Sequence, residues 1–202
     1  RGGPPSGTRR ARPLGRGGNR WPAASSTRRV RKIQPVSRYG AIDCGTNALR
    51  LLVADVVDGE LREISREMRT VRLGEGVDAT GEFTPAALER TFAALDEYVR
   101  MIDGLDVSAI RVVATSASRD VRNADEMIGG FQRRLGVVPE VIDGLAEARL
   151  SYAGAVRGLP DGVGDFPVLV ADIGGGSTAF IRGRGPRGDR RGGGSGGDKL
   201  WG

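Results

Sequence analysis

The sequence predicts an α/β fold built on a mixed sheet, and three observations carry that expectation. Short β-branched and Leu-rich runs form a meander between Tyr39 and Leu73. Later apolar runs alternate with stretches of helical periodicity. One motif, an Asp at a strand end followed by Gly and small polar residues, occurs twice. The two copies, AIDCGTNALRLLVA and VADIGGGSTAFIRG, place Asp43 and Asp172 129 positions apart. Such hairpins one domain's length apart predict two related lobes with a cleft between them.

The elements follow in order. YGAID and ALRLLVADVV read as a hairpin around the turn-forming CGTN, and Asp58-Gly59 turns the chain into a third strand, ELREISREMRTVRL. RLGEGVDATGEF reads as a loop. A helix follows: Thr84 is a good N-cap, Pro85 occupies the first helical position, and Leu88, Phe92, Leu95, Val99 and Ile102 form one apolar stripe up to Gly104. AIRVVATSA reads as a buried strand. ASRDVRNADEMIGGFQRRLG reads as a loop and helix with Met127, Ile128, Phe131 and Leu135 facing inward. PEVID is a further strand, LAEARLSYAGAVRGL a helix, PDGVGDFP a loop and VLVADI the strand that runs into the second hairpin.

Charge divides the chain into three parts. Residues 1–38 carry 11 Lys or Arg and no acid, and residues 182–202 carry 6 basic and 2 acidic residues. Of the 31 basic and 25 acidic residues, 14 and 23 remain for 39–181, a net charge of −9. The overall +6 therefore describes the ends, and it gives no support to nucleic-acid binding by the folded part. Both ends are rich in Gly and Arg and lack hydrophobic periodicity. They cannot bury enough apolar surface to offset an ordering entropy of roughly 1–2 kcal/mol per residue, so both are expected to be disordered. Gly/Arg-rich segments can bind RNA electrostatically. These are short and carry no repeated RGG unit, so a nucleic-acid role is not the expectation.

Absences narrow the chemistry. Without histidine, Ser-His-Asp catalysis and His-ligated zinc are excluded, and the lone Cys44 excludes disulfides and CxxC sites. No run approaches the ~18–20 apolar residues that span a bilayer, and no secretory segment is visible near the start. No membrane role is expected, and the cytoplasm is the expected compartment.

The glycines of the second hairpin raise the sharpest question. Gly174, Gly175 and Gly176 permit a turn whose amides are unshielded, and successive N–H groups in such a turn form an anion-binding nest to which Ser177 and Thr178 add hydroxyl donors. A carboxylate at the preceding strand end, Asp172, can hold Mg²⁺ through oxygen. Asp43, Gly45, Thr46 and Asn47 make a smaller version of the same loop, in which Cys44 reads as a buried strand residue. ATSASRD places Thr115, Ser116, Ser118 and Arg119 at the C-terminal end of a buried strand, where ligands collect in α/β sheets, and the Arg119 fork suits phosphate. Glu147 sits in the first turn of its helix, where an acid also simply complements the helix dipole.

In this order, AIDCGTNALRLLVA, VRLGEGVD, VVATSASRD, EARLSYAG and ADIGGGST together resemble the exopolyphosphatase and guanosine pentaphosphate phosphohydrolase (Ppx/GppA) family of the actin-like ATPase superfamily, over about residues 39–181. The resemblance implies a ribonuclease-H-like lobe with a mixed sheet at 39–165, then the first hairpin of a truncated, similar second lobe at 166–181. It implies Mg²⁺ at Asp43 and Asp172. The terminal phosphoryl group would lie on Thr46, Asn47, Arg119 and the loop Gly174, Gly175, Gly176, Ser177 and Thr178, with Glu147 as the catalytic base that deprotonates the attacking water. The implied substrate is inorganic polyphosphate or guanosine pentaphosphate, and a homodimer is an allowed assembly.

Two departures stand against the family pattern. It continues Gly-Gly-Gly-Ser-Thr-Glu, but residue 179 is Ala, and residue 146 is Ala where an acid is usual. From Arg182 the sequence predicts no strand or helix, as expected of a truncated or frameshifted reading of a GC-rich gene. An active exopolyphosphatase-type hydrolase, impaired in this chain, is therefore the primary expectation. The alternative is a catalytically inactive polyphosphate-binding or partner lobe.

Overall fold

The structure, a computed structural model, describes residues 37–119, 121–160, 167–175, 177–184 and 197–201. Three strands open it: β1 (Ser37–Cys44), β2 (Ala48–Val57) and β3 (Glu60–Thr70). They form the expected antiparallel meander. Asp58 (φ 53°) and Gly59 (φ 83°) make the two-residue turn between β2 and β3, both left-handed as such a hairpin requires. β4 (Ala109–Ala114) then pairs parallel to β1, and β5 (Glu140–Val141) parallel to β4. The sheet order is β3-β2-β1-β4-β5. It is mixed, as the sequence predicts.

The predicted RLGEGVDATGEF loop contains one helical turn, α1 (Val77–Thr80), bracketed by left-handed Gly76 and Gly81. α2 (Pro85–Asp103) begins as expected, with the Thr84 hydroxyl accepting the Ala87 N–H at 3.2 Å. Its buried face is rotated from the predicted stripe. Leu88, Leu95 and Ile102 are buried, but Phe92 and Val99 lie at its edge, and Tyr98 is fully buried at its centre. Tyr98 can take that place because its hydroxyl donates to the Leu49 carbonyl of β2 at 2.9 Å. After β4, Ser116–Ser118 make a single 3-10 turn, shortening the expected strand, and α3 (Ala124–Leu135) buries Met127 and Phe131. These residues and the helix-facing side of the sheet (Ile42, Leu49, Leu51, Val53 and Val112) form the main core. Cys44 is 1% exposed within it, as expected of a small strand residue.

α4 (Gly144–Arg157) is capped by the Asp143 carboxylate, which accepts the Ala146 N–H at 2.7 Å. It packs away from the main core. Its Ala148, Tyr152 and Val156 meet Ile181 in a second, smaller core on the sheet β6 (Pro167–Ile173), β7 (Thr178–Arg184) and β8 (Gly197–Trp201), which is antiparallel in that order.

Both predicted disordered ends need correction where they are described. Ser37 and Arg38 belong to β1, and Arg38 is fixed by Asp55 and the Leu105 carbonyl. At the other end β7 runs on to Arg184, and 197–201 form β8. The physical reason is pairing: β7 would otherwise present a row of open backbone donors and acceptors, which β8 satisfies. The rest of the two predicted disordered segments, 1–36, 185–196 and 202, lies outside the described residues, as does most of the predicted PDGVGDFP loop. Among the described residues no helix is long and apolar enough to cross a membrane.

Candidate active site

The face of the first sheet that turns away from α2 and α3, together with α4 and the β6–β7 hairpin, bounds a cavity of 640 Å³. Asp43, Thr46 and Asn47 line it from the first hairpin, Glu147 and Ser151 from α4, and Asp172, Gly174, Gly175 and Ser177 from the second hairpin. The sequence-predicted residues thus converge from elements far apart in the chain.

Backbone hydrogen bonds set the first loop. The Thr46 carbonyl accepts the Gly74 N–H at 2.8 Å, and the Asn47 carbonyl accepts the N–H groups of Val71 and Arg72, each at 2.9 Å. With its carbonyls held by the segment after β3, the loop presents its side chains to the cavity. Thr46 Oγ1 lies 3.3 Å from Ser116 Oγ in the 3-10 turn, so the second predicted cluster is joined to the first. The two repeated hairpins also touch. A Cβ placed on Gly175 would lie 2.5 Å from Asn47 Cβ, so this close approach requires glycine.

Each acid has a partner in the chain. Arg50 stands directly opposite Asp43 in the β1–β2 register and donates from Nη1 to its Oδ2 at 2.9 Å. Ser151 donates from Oγ to Asp172 Oδ2 at 2.5 Å. Glu147, half-buried one helical turn before Ser151, accepts from Arg119 Nη1 at 3.3 Å. The same Arg119 nitrogen donates to the Ile142 carbonyl at 2.7 Å.

Some predicted contacts are not assembled. The Gly174 N–H donates to the Ser177 carbonyl at 2.9 Å, closing the hairpin, so this amide is not available to phosphate. Thr178 opens β7 opposite Ile173 and is not on the cavity wall, and Gly176 lies outside the described residues. Arg119 reaches the site through Glu147 rather than lining the cavity itself. Ala179 pairs directly with Asp172, so the two side chains share the α4-facing side of the hairpin.

Arg50 and Ser151 are the residues the sequence reading missed. A lone Arg inside the apolar β2 run and a Ser four positions after Glu147 were the available signals. Burial, and then the charge of Asp43, push the Cys44 thiol up to about 12. It therefore stays protonated at neutral pH and offers no nucleophile or soft metal ligand.

The divalent cation implied by the resemblance can be tested against this donor set. Among the described residues no three His, Cys, Asp or Glu side chains cluster tightly enough to cage a metal unaided. The set still fits a hard cation of the Mg²⁺ type. Asp43 and Asp172 supply two carboxylates, the neighbouring groups are hydroxyls, and Mg²⁺ commonly takes one or two carboxylates, keeps several waters and adds substrate phosphate oxygens.

A family model described as the Ppx/GppA phosphatase family matches residues 52–187. Exopolyphosphatase 2 of Mycobacterium tuberculosis is 46% identical over 157 residues, which cover 73% of this chain and 49% of the relative. Among solved structures, the Aquifex aeolicus member of the Ppx/GppA protein family is similar at 36% identity and a TM-score of 0.64, over 76% of this chain and 49% of that chain. An exopolyphosphatase from Cytophaga hutchinsonii is similar at 32% identity and a TM-score of 0.70, over 82% and 49%. The chain spans about half the length of these relatives. The fold is the ribonuclease-H-like fold of the actin-like ATPases, carried by the 3-2-1-4-5 mixed sheet. By its motifs, its fold and these relatives, the chain belongs to the Ppx/GppA phosphatase family, a family of phosphoanhydride hydrolases.

Proposed function

We propose that this chain handles the terminal phosphoryl group of inorganic polyphosphate or guanosine pentaphosphate, in a Mg²⁺-assisted hydrolysis. The observation that carries the reading is the convergence of Asp43, Glu147 and Asp172 with both small-residue loops on one cavity. Charge supports the need for a cation. Asp43, Glu67, Glu147 and Asp172 outnumber Arg50 and Arg66 on the cavity wall, so a polyanion entering alone meets net repulsion.

In this reading Asp43 and Asp172 hold Mg²⁺, which when bound neutralises phosphate charge and stabilises the in-line transition state. Thr46, Asn47, Ser177 and the Gly175 amide fix the terminal phosphoryl oxygens. Arg119, released from Glu147, supplies the planar fork that phosphate favours. Glu147 orients the attacking water along the scissile P–O bond and accepts its proton. The leaving phosphate departs with the electron pair of that bond. The choice between the two substrates belongs to surfaces beyond these loops. A homodimer in the cytoplasm is part of the same proposal, and light scattering and cell fractionation read it.

Turnover in this chain is proposed to be low, because Ala179 leaves Asp172 without the neighbouring carboxylate of the family pattern. That observation also favours the second reading, a polyphosphate-binding lobe without turnover. The test is orthophosphate release from long-chain polyphosphate with and without Mg²⁺, beside binding of the same substrate. Slow release that needs Mg²⁺ and falls at least ~100-fold in Glu147→Gln supports the hydrolase. Binding without release supports the binding lobe, and absence of both defeats the assignment.

A further inference from the structure

Arg50 has no role in the motifs that point to this site, yet its position opposes the proposed chemistry directly. Its Nη1 occupies Asp43 Oδ2 at 2.9 Å, and both side chains line the cavity, 53% and 40% exposed. A hard cation on Asp43 needs the same carboxylate oxygens. Two positive partners cannot share them at close range, so one has to leave. The pair lies on β2 and β1 in direct register, which fixes the Arg50 backbone beside the site whatever its guanidinium does. Rotation about its side-chain bonds is the cheap motion, and the exposure leaves room for it.

Resting on the reading given under Proposed function, we propose that Arg50 exchanges ligands. In the cation-free chain it holds the Asp43 carboxylate toward the cavity. On arrival of a divalent cation it yields the carboxylate and turns its fork onto the anionic substrate brought by that cation. The charge balance favours the exchange. The cation overcompensates Asp43, and the displaced guanidinium then sits among phosphate oxygens, for which its paired N–H donors are well matched. Asp43 is also spared a search for its geometry when the cation arrives, because the ion pair has already oriented it.

The proposal makes two predictions of opposite sign, which a merely structural role for Arg50 does not. Half-exposed ion pairs compete weakly, so Arg50→Ala should tighten Mn²⁺ binding to the substrate-free chain by about 1.5- to 5-fold, followed by electron paramagnetic resonance. In a Glu147→Gln background with saturating Mn²⁺, the same change should weaken inorganic tripolyphosphate binding by about 10-fold in calorimetry, with Arg50→Lys recovering part of the loss. Arg66→Ala is the charge control. Arg66 lines the same cavity but is paired to Glu63 and does not touch Asp43. Equal Mn²⁺ shifts in Arg50→Ala and Arg66→Ala would make the effect one of net charge and overturn the exchange. Unchanged or weaker Mn²⁺ binding in Arg50→Ala overturns it as well, and so does unchanged tripolyphosphate affinity. If the parent chain binds Mn²⁺ and tripolyphosphate while the Arg50 variants match it, only this inference fails. If the parent binds neither, the functional reading fails with it.

Discussion

Replacing Ala179 by Glu tests the site through its geometry. Ala179 stands directly opposite Asp172 in the β6–β7 ladder, so an acid there shares one face of the hairpin with a carboxylate whose Cβ is about 4.5–5.5 Å away. Two unit charges about 5 Å apart repel by about 1 kcal/mol in water and about 3 kcal/mol at the effective dielectric of a protein surface. Both positions are half-buried, and directly opposed like charges in sheets cost on the order of 1 kcal/mol, so the lower figure is the better guide. For a chain of this size that lowers the melting temperature by about 2–4 °C in chelator. A divalent cation reverses the sign, since two opposed carboxylates hold it better than one. Saturation at a hundred times the dissociation constant contributes about 2.7 kcal/mol, enough to carry Ala179→Glu past its own deficit. The assay is thermal unfolding of both chains in chelator and across a Mg²⁺ series, followed by orthophosphate release, which should rise by about 10²-fold. Equal melting in chelator together with equal Mg²⁺ response would refute the reasoning, because the carboxylates would then not share a site.

Two further outcomes follow from other contacts. Gly175→Ala forces a methyl within 2.5 Å of Asn47 Cβ and should cost about 1–3 kcal/mol or push the hairpins apart, so tripolyphosphate affinity should fall while the far-ultraviolet spectrum stays unchanged; intact affinity would show that the loops need not touch. The Arg38 guanidinium, hydrogen-bonded to Asp55 at 2.8 Å, holds that carboxyl below its ordinary value, so its stabilisation is present above about pH 3.9 and is lost as pH falls through the lower folded value. Asp55→Asn should therefore be less stable than the parent at neutral pH, with the gap closing in acid denaturation; a gap that persists at the lowest pH would contradict the pairing.

The legibility of the sequence followed the range of each signal. The Asp58-Gly59 turn and the Thr84-Pro85 cap are decided within a few residues, and both appear as expected. Tyr98 replaced Phe92 and Val99 at the centre of α2 because its hydroxyl found the Leu49 carbonyl, 49 positions away, which no helical wheel contains. β8 has little strand propensity of its own and exists through the edge that β7 offers. In the site, Asp43, Glu147 and Asp172 stood out because motifs mark them. Their partners did not: Arg50 depends on hairpin register, and Ser151 on how α4 meets the second sheet. The Gly174 amide looked open for the same reason, since its partner is the carbonyl across its own turn.

The two halves of the site rest on unequal foundations. Asp43 ends a strand whose neighbours, Ile42 and Cys44, belong to the main core, and its loop is pinned by three backbone hydrogen bonds from the Val71–Gly74 segment. Asp172 belongs to a hairpin held by a core of four buried residues, Ala148, Tyr152, Val156 and Ile181. The Tyr152 hydroxyl is buried there without a hydrogen-bond partner among the described residues, a further cost to that core. Local opening is easiest where few apolar contacts resist it, so the second hairpin should open before the first sheet does. A cation bridging Asp43 and Asp172 would then act on structure as well as on phosphate, since it ties the weakly held hairpin to the strongly held one. Substrate joins the same two loops through its phosphoryl oxygens. The geometry thus makes ligand binding and closure of the second hairpin one event, and the Ser151–Asp172 hydrogen bond is what holds the carboxylate in place until it happens.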